Sequence, residues 1–143
     1  MRFINRIWEL FVSQTKEDKN ISSQDLVNVR FDAIKANIDN GVNKPVELSE
    51  NEEIFIKELI ERIDNELGHD YNLSFNRLSN KTLNAWYNDR YLGKIKLQGR
   101  KTYMQILNGL FGVEVIRDCT LEEYLKHIDG WIEYIKDLNE KLG

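Results

Sequence analysis

The feature of this sequence that most constrains its fold is a segment, residues 91–107, that alternates apolar and polar side chains on both sides of a glycine. The segment reads YLGKIKLQGRKTYMQIL. Alternation with a period of two is typical of half-buried strands, and two such runs around Gly99-Arg100 predict an antiparallel β-hairpin with a type II′ turn. The chain is therefore not all-helical, and a further layer must cover the apolar face of the hairpin.

The pairing expected across this turn keeps apolar side chains on one side of the hairpin. With a two-residue loop, Ile95 lies opposite Met104, and Lys96 lies opposite Tyr103. A slip by one residue would turn every side chain to the other face, so this register is strongly preferred. The remaining pairs of the register are Gln98 with Lys101, Leu97 with Thr102, Gly93 with Ile106 and Lys94 with Gln105.

The connection before the hairpin has two candidate lengths. A two-residue loop at 88–89 would place Leu83 opposite Lys94 and mix the two faces. A three-residue loop at 88–90 places Leu83 opposite Ile95 and keeps one apolar face across three strands, so we prefer it. The predicted apolar face is Leu83, Ala85, Tyr87, Tyr91, Ile95, Leu97, Met104 and Ile106. The predicted outer face is Asn84, Trp86, Leu92, Lys94, Lys96, Lys101, Tyr103 and Gln105.

Helical periodicity precedes the predicted sheet in three segments. Apolar residues at helical spacing predict a first helix over residues 3–14. A second helix begins at Ser22 or Ser23, because either hydroxyl can accept a hydrogen bond from a free amide of the first turn. Gly41 is its expected C-terminal stop. The third helix is the next apolar stripe along the chain.

Two predicted helices begin with a capping box, a hydroxyl residue followed three positions later by Glu. The pair Ser49 and Glu52 opens the third helix, which ends at Gly68. The pair Thr120 and Glu123 opens a closing helix. Within that helix Gly130 disfavours the helical state by about 1 kcal/mol relative to alanine, which predicts a kink there.

Between these helices the periodicity changes from 3.6 to 2. Residues 71–76 form a weaker candidate strand, 83–87 a second one, and 113–116 a short apolar stretch after the hairpin. No repeat or linker-like stretch divides the chain. We therefore predict a single α+β domain over residues 1–143: three N-terminal helices, an antiparallel β-meander of three to five strands, and a C-terminal helix packed on the sheet.

The composition limits the class of protein. The chain has 143 residues, 41% of them hydrophobic, and a net charge of −4, which is enough apolar material for one core and too acidic overall for nucleic-acid coating. The single cysteine, Cys119, cannot form an internal disulfide and indicates a reducing compartment. No apolar run approaches the ~20 residues of a membrane span, and no secretory signal is evident. We expect a cytoplasmic protein without a membrane partner, and the abundance of Lys, Asn and Ile suits a bacterial or phage genome.

The candidate binding site is the basic and aromatic side of the predicted hairpin. Aromatic rings on a basic sheet can stack on bases while lysines contact phosphates, as in sheet-based RNA binders. The ordinary alternative is a solvated sheet face, whose lysines discourage edge pairing, or a face covered by a further helix. The candidate binding residues are Trp86, Lys94, Lys96, Arg100, Lys101 and Tyr103.

Catalytic chemistry has little support in the sequence. His69-Asp70 is a pair found in metal-dependent phosphohydrolases, but such sites need more histidines than His69 and His127, so a histidine at a helix end is the better interpretation. Cys119 and His127 are separated by about 10 Å along a helix, too far for a thiol–imidazole pair. We therefore predict no cofactor, no metal and no catalytic residues.

These observations favour a small non-enzymatic protein that acts by binding. The first hypothesis is a protein-interaction module of the accessory, inhibitor or immunity type, whose partner is another protein. The second is nucleic-acid binding through the outer face of the sheet. The third is an enzyme with an unrecognised site, for which a deep pocket lined by His69 and several carboxylates would be evidence.

Overall fold

The computed structural model of the protein describes residues 22–39, 45–109 and 112–142. The helices are α1 (Ser23–Asn37), α2 (Glu50–Leu67), α3 (Leu121–Lys126) and α4 (Ile128–Leu142). The strands are β1 (Leu73–Arg77), β2 (Leu83–Tyr87), β3 (Arg90–Lys96), β4 (Tyr103–Asn108) and β5 (Gly112–Arg117). They form one antiparallel sheet in the order β1-β2-β3-β4-β5, a meander in which each strand pairs with the next along the chain.

The predicted α+β class, the antiparallel meander and the C-terminal helix are confirmed. The predicted number of N-terminal helices is not confirmed. In the described ranges two helices, α1 and α2, precede the sheet instead of three. The helix predicted over residues 3–14 lies outside those ranges.

The helix ends follow the local signals of the sequence. Ser22 caps α1, and its side chain accepts a hydrogen bond from the amide of Asp25. Ser49 and Glu52 form the predicted capping box of α2, which ends at Gly68 with φ +89°, a backbone conformation that favours glycine. The capping box of Thr120 opens α3 as predicted.

The core lies between the helices and one face of the sheet. Helix α2 contributes the fully buried residues Phe55, Leu59 and Ile63, and the ring of Phe55 meets that of Trp131 of α4 edge-on at 5.4 Å. Helix α4 contacts β3 and β4, so it covers the apolar face of the hairpin as predicted. We call the side of the sheet turned toward the helices the inner face and the opposite side the outer face.

The closing helix is interrupted at His127, not at Gly130 where the sequence predicts a kink. Gly130 instead lies where α4 approaches β4. A Cβ atom there would be 2.8 Å from Cγ2 of Ile106, closer than real Cβ contacts allow. The glycine therefore permits close packing of the helix on the sheet.

The turn between β2 and β3 corrects one prediction. The predicted pairing of Leu83 with Ile95 is confirmed, but the loop has two residues, Asn88 and Asp89, instead of three. Both have positive φ, 49° and 65°, as a type I′ turn requires. The register is restored by a β-bulge, which inserts one extra residue in β3.

This bulge exchanges the predicted positions of two side chains. Leu92, predicted on the outer face, is fully buried, whereas Tyr91, predicted to be apolar core, lies beside Trp86 on the outer face. Gly93 follows the bulge with φ +151°, and a Cβ atom there would lie 2.6 Å from the carbonyl oxygen of Gln105. Only glycine fits this close approach of β3 to β4.

The β3–β4 hairpin keeps its predicted register but not its predicted turn. The pairs Ile95–Met104 and Lys96–Tyr103 are confirmed, and the ladder ends there, so a two-residue turn at Gly99-Arg100 is wrong. The side chain of Gln98 donates instead to Glu52 Oε1 at 2.6 Å and to the carbonyl of Glu47 at 3.0 Å. These bonds to the start of α2 hold the loop open and replace the expected pairs Gln98–Lys101 and Leu97–Thr102.

A buried ion pair joins the sheet to α2. Arg77, at the end of β1, donates to Glu52 at 2.6 Å, and both side chains are fully buried. Arg77 also donates to the carbonyls of Lys81 and Val46. The sequence pattern predicts Glu52 only as part of the capping box, whereas in the structure it is also the counter-ion of Arg77.

The two edge strands of the sheet differ in their cover. Helix α1 packs on β1, and the carbonyl of Ile38 accepts a hydrogen bond from the backbone amide of Arg77. At the other edge β5 pairs with β4, and no other element of the described ranges pairs with it. Within the described ranges, the outward backbone groups of β5 therefore have no strand partner.

Candidate functional site

The outer face combines cations and aromatic rings without acids. Directly opposed residues in an antiparallel sheet point the same way, so the pairing assigns each strand residue to a face. The outer-face strand residues are Ser74, Asn76, Asn84, Trp86, Tyr91, Lys94, Lys96, Tyr103, Gln105, Leu107, Val113, Val115 and Arg117. Among these residues there are three cations and no carboxylate, although the whole chain has a net charge of −4.

Lateral hydrogen bonds fix the aromatic part of this face. Trp86 Nε1 donates to Asn76 Oδ1 at 2.7 Å, and its ring meets that of Tyr91 edge-on at 5.3 Å. The hydroxyl of Tyr91 donates to Gln105 Oε1 at 2.7 Å. Burial, followed by the neighbouring Tyr103, raises the pKa of Tyr91 to about 12. The rings are thus held in place before any ligand arrives.

Four of the six candidate residues share this face: Trp86, Lys94, Lys96 and Tyr103. Arg100 and Lys101 lie in the exposed loop between β3 and β4 instead, and Lys96 Nζ donates to the carbonyl of Lys101 at 2.9 Å. The loop therefore continues the basic surface beyond the end of the sheet. Whether these six residues bind a ligand stays a prediction.

Tyr91 and Arg117 also lie on the outer face but are not among the six residues that the sequence predicts for the site. The guanidinium of Arg117 lies 6.0 Å from the centre of the Tyr103 ring, which is at the upper limit of the distance for a cation–π contact. Alternation within 113–117 could have assigned Arg117 to the face of Val113 and Val115. The position of Tyr91 depended on the bulge, for which the sequence has no separate signal beyond Gly93.

Strand β5 exposes apolar side chains at its free edge. Val113 is 58% exposed and Val115 is 41% exposed, and both point to the outer face. Leu107 lies opposite Val113 on β4 and extends this apolar strip. Among the described strands, β4 alone pairs with this six-residue strand. Its exposed valines are unusual, because proteins generally blunt such edges.

Beneath β5, on the inner face, lies an acidic cleft of about 320 Å³ between the β4–β5 hairpin and α4. Its carboxylates are Glu114 of β5 together with Glu133 and Asp137 of α4, and His127 and Tyr134 also line it. No lysine or arginine is among the described residues that line the cleft. Glu133 contacts Lys136 at 3.7 Å, whereas Glu114 and Asp137 form no ion pair with any residue of the described ranges.

A second group of titratable side chains lies at the end of α2. The Tyr71 hydroxyl donates to Asp64 at 2.8 Å, and His69 Nδ1 lies 3.3 Å from the same carboxylate. Burial raises the pKa of Asp64, and the hydrogen bond from Tyr71 opposes that shift. Arg30 covers the Tyr71 ring at 3.9 Å and donates to the Tyr71 carbonyl. These contacts join α1 and α2 to the segment between α2 and β1.

The enzyme hypothesis predicts a deep pocket lined by His69 and several carboxylates. Neither the acidic cleft nor the groove between α1 and β1 has His69 or Asp64 in its lining.

The positions of the described residues also do not support the cysteine or the metal interpretation. The Cys119 thiol lies 3.5 Å from the carbonyl of Arg117, and desolvation together with Glu123 and Asp118 raises its pKa, the opposite of what activates a nucleophile. Within the described ranges, no group of three or more His, Cys, Asp or Glu side chains is arranged to hold a metal ion.

The helices of the described ranges lack the combination of length and apolar character that crossing a bilayer requires. Comparison of the chain with protein-family models, with curated proteins and with solved structures found no match.

Proposed function

We propose that this protein is a non-enzymatic protein-interaction module that binds an extended segment of another protein at the β5 edge. The observation that carries the proposal is the β5 edge, which pairs with no described strand other than β4 and has Val113 and Val115 exposed beside it. The module would act as an accessory, inhibitor or immunity-type protein in a reducing, cytoplasmic setting, which the single free Cys119 supports.

Strand addition explains how such an edge can bind. Every second residue of an edge strand directs its N–H and C=O groups away from the sheet, and an extended peptide can satisfy them. Leu107, Val113 and Val115 then offer apolar contact to the side chains of the added strand. The backbone provides affinity, and these side chains provide selectivity.

The proposal is tested by selecting binders from a displayed library of random peptides. We expect selected peptides to lose about tenfold or more in affinity for a Val115→Lys variant, because a lysine on an edge strand disfavours strand addition. The matched control is Asn65→Lys, which adds the same charge at an exposed position of α2. It should leave affinity within about twofold.

Backbone pairing is tested on the peptide itself. In an added strand, only alternate amides point toward β5. N-methylation of one alternate set should therefore abolish binding, whereas methylation of the other set should preserve it. Binders that resist both Val115→Lys and N-methylation, or a library that yields none, would overturn the proposal.

A second candidate function, nucleic-acid binding, is favoured by the absence of carboxylates among the outer-face strand residues. Lys94 and Lys96 would contact phosphates, and Trp86 would stack on a base. We expect Lys94→Ala, Lys96→Ala or Trp86→Ala to weaken salt-dependent binding of a labelled single strand in fluorescence anisotropy. If the wild-type protein gives no anisotropy change at low salt, this function is excluded.

A further inference from the structure

We propose that the segment that adds to β5 has Lys or Arg at alternate positions, which it inserts into the acidic cleft under the strand, and apolar residues between them. This inference rests on the proposed function and specifies the partner. It follows from what lies on each side of the β5 edge: carboxylates on the inner face and apolar side chains on the outer face.

The inner-face positions of an added strand fall beside Glu114. Glu114 points to the inner face because it lies opposite the buried Ile106, and both residues line the cleft. A side chain next to Glu114 on an added strand would face Glu133 and Asp137 of α4 across the same cleft. A long cationic side chain can span such a cleft with its apolar stem along the wall and its charge at the carboxylates.

The charges of the cleft are not balanced by the residues described. Glu114 and Asp137 form no ion pair there, and Glu133 shares Lys136 with Glu66, which lies 3.5 Å from the same ammonium group. A guanidinium or ammonium group entering the cleft would therefore meet at least two carboxylates without a competing cation. An acidic side chain in the same place would be repelled.

The outer-face positions of the added strand have the opposite preference. Their neighbours are Val113 and Val115, followed by Arg117 at the end of the strand. Apolar side chains gain contact with the valines, and a cation opposite Arg117 is disfavoured. The two faces together select a pattern in which basic and apolar residues alternate.

The charges disfavour a second copy of this chain as the occupant. In a two-fold symmetric antiparallel pair of β5 strands, residues of the same face oppose each other, so both copies of Glu114 lie on the inner side. The register centred on Glu114 places the two carboxylates directly opposite, and the register centred on Val115 places Glu114 opposite the apolar Ile116. Neither register supplies a cation to the cleft.

The test uses three labelled peptides of seven residues and fluorescence anisotropy with the full chain. One alternates Lys and Val, one alternates Glu and Val, and the third has the composition of the first with lysines and valines in separate blocks. We expect the alternating Lys–Val peptide to bind about tenfold or more tightly than either of the others, because only it places every cation on one face.

Two double variants identify the cleft as the cause. Glu114→Gln combined with Asp137→Asn should weaken binding of the Lys–Val peptide about tenfold. Asp32→Asn combined with Glu61→Gln removes the same charges from exposed positions of α1 and α2, and should change affinity by less than about twofold.

The outcomes separate the two proposals. Equal binding of the Lys–Val and Glu–Val peptides, with both sensitive to Val115→Lys, would overturn the basic pattern while the β5 edge remained the binding site. Equal binding of the alternating and blocked lysine peptides would show general attraction to an acidic protein and would also overturn the pattern. Self-association that depends on Val115 would identify a second copy as the occupant and would overturn the inference.

Discussion

Gly93 illustrates how one residue decides the form of a sheet. It follows the bulge in β3, where a Cβ atom would lie 2.6 Å from the Gln105 carbonyl oxygen and 3.1 Å from Nε1 of Trp131. That same indole nitrogen donates to the Gln105 carbonyl at 2.8 Å. Helix α4 and strand β4 therefore meet at a position that only a residue without a side chain can occupy.

We expect Gly93→Ala to destabilise the fold by about 2 kcal/mol more than Gly68→Ala, since overpacking against backbone typically costs about 1–3 kcal/mol. Both glycines have positive φ, 151° and 89°, but a Cβ atom at Gly68 would have no neighbour within 4 Å. The difference between the variants therefore isolates crowding from backbone strain. Urea denaturation measures both, and equal losses would show that the close approach has no energetic effect.

Tyr91 gives the outer face a measurable pH dependence. Its pKa is raised from 10.0 to about 12, with burial as the first cause. Because the folded pKa exceeds the unfolded one, the stability contributed by neutral Tyr91 is fully present below pH 10 and is lost as pH rises through about 12. The phenolate absorbance of the wild type minus that of Tyr91→Phe should show a midpoint near the raised value. A midpoint at the ordinary tyrosine value would mean that the ring is solvated.

At the scale of elements, features with a local cause could be predicted from the sequence. The capping boxes at Ser49 and Thr120 and the glycine end of α2 at Gly68 need only a few neighbouring residues, and all three are confirmed. The central pair Leu83–Ile95 was also predictable, because burial of one face determines register.

Features that depend on contacts between distant segments could not be predicted in this way. Beside the bulge, Gly93 lies against Trp131 of α4, and in the open β3–β4 loop Gln98 donates hydrogen bonds to residues about fifty positions earlier. The candidate site likewise has features that the local pattern predicts and features that it does not. Alternation placed Trp86 and Lys94 on one face, but the bulge placed Tyr91 beside them.

The two edge strands should differ in amide hydrogen exchange. The Arg77 amide of β1 bonds to the Ile38 carbonyl, so we expect it to exchange slowly. The alternate β5 amides that point away from β4 should exchange much faster, and they should become protected when a strand-adding peptide binds. Slow exchange at these positions in the free protein would show that the edge is already covered and would contradict the proposed binding site.

At the scale of the whole molecule, the charged side chains are unevenly distributed over the surface. The chain has a net charge of −4, but carboxylates are absent from the outer-face strand residues, whereas three of them line the cleft under β5. The sheet thus separates a cationic, aromatic surface from an acidic one. The two proposed binding functions involve different strands: the added strand would pair with β5, and a nucleic acid would contact Trp86 of β2 and Lys94 and Lys96 of β3, so the variants that test them do not overlap.

The unequal edges of the sheet also set how many copies of a partner could join it. Among the described elements, α1 packs on β1 at one end, and β5 is open at the other. A sheet can grow into a fibre only if each molecule has two unpaired edges. One edge pairs with the existing sheet, and the other pairs with the next molecule. With one unpaired edge among the described elements, we expect this molecule to accept a strand or to terminate a growing stack, and not to propagate one.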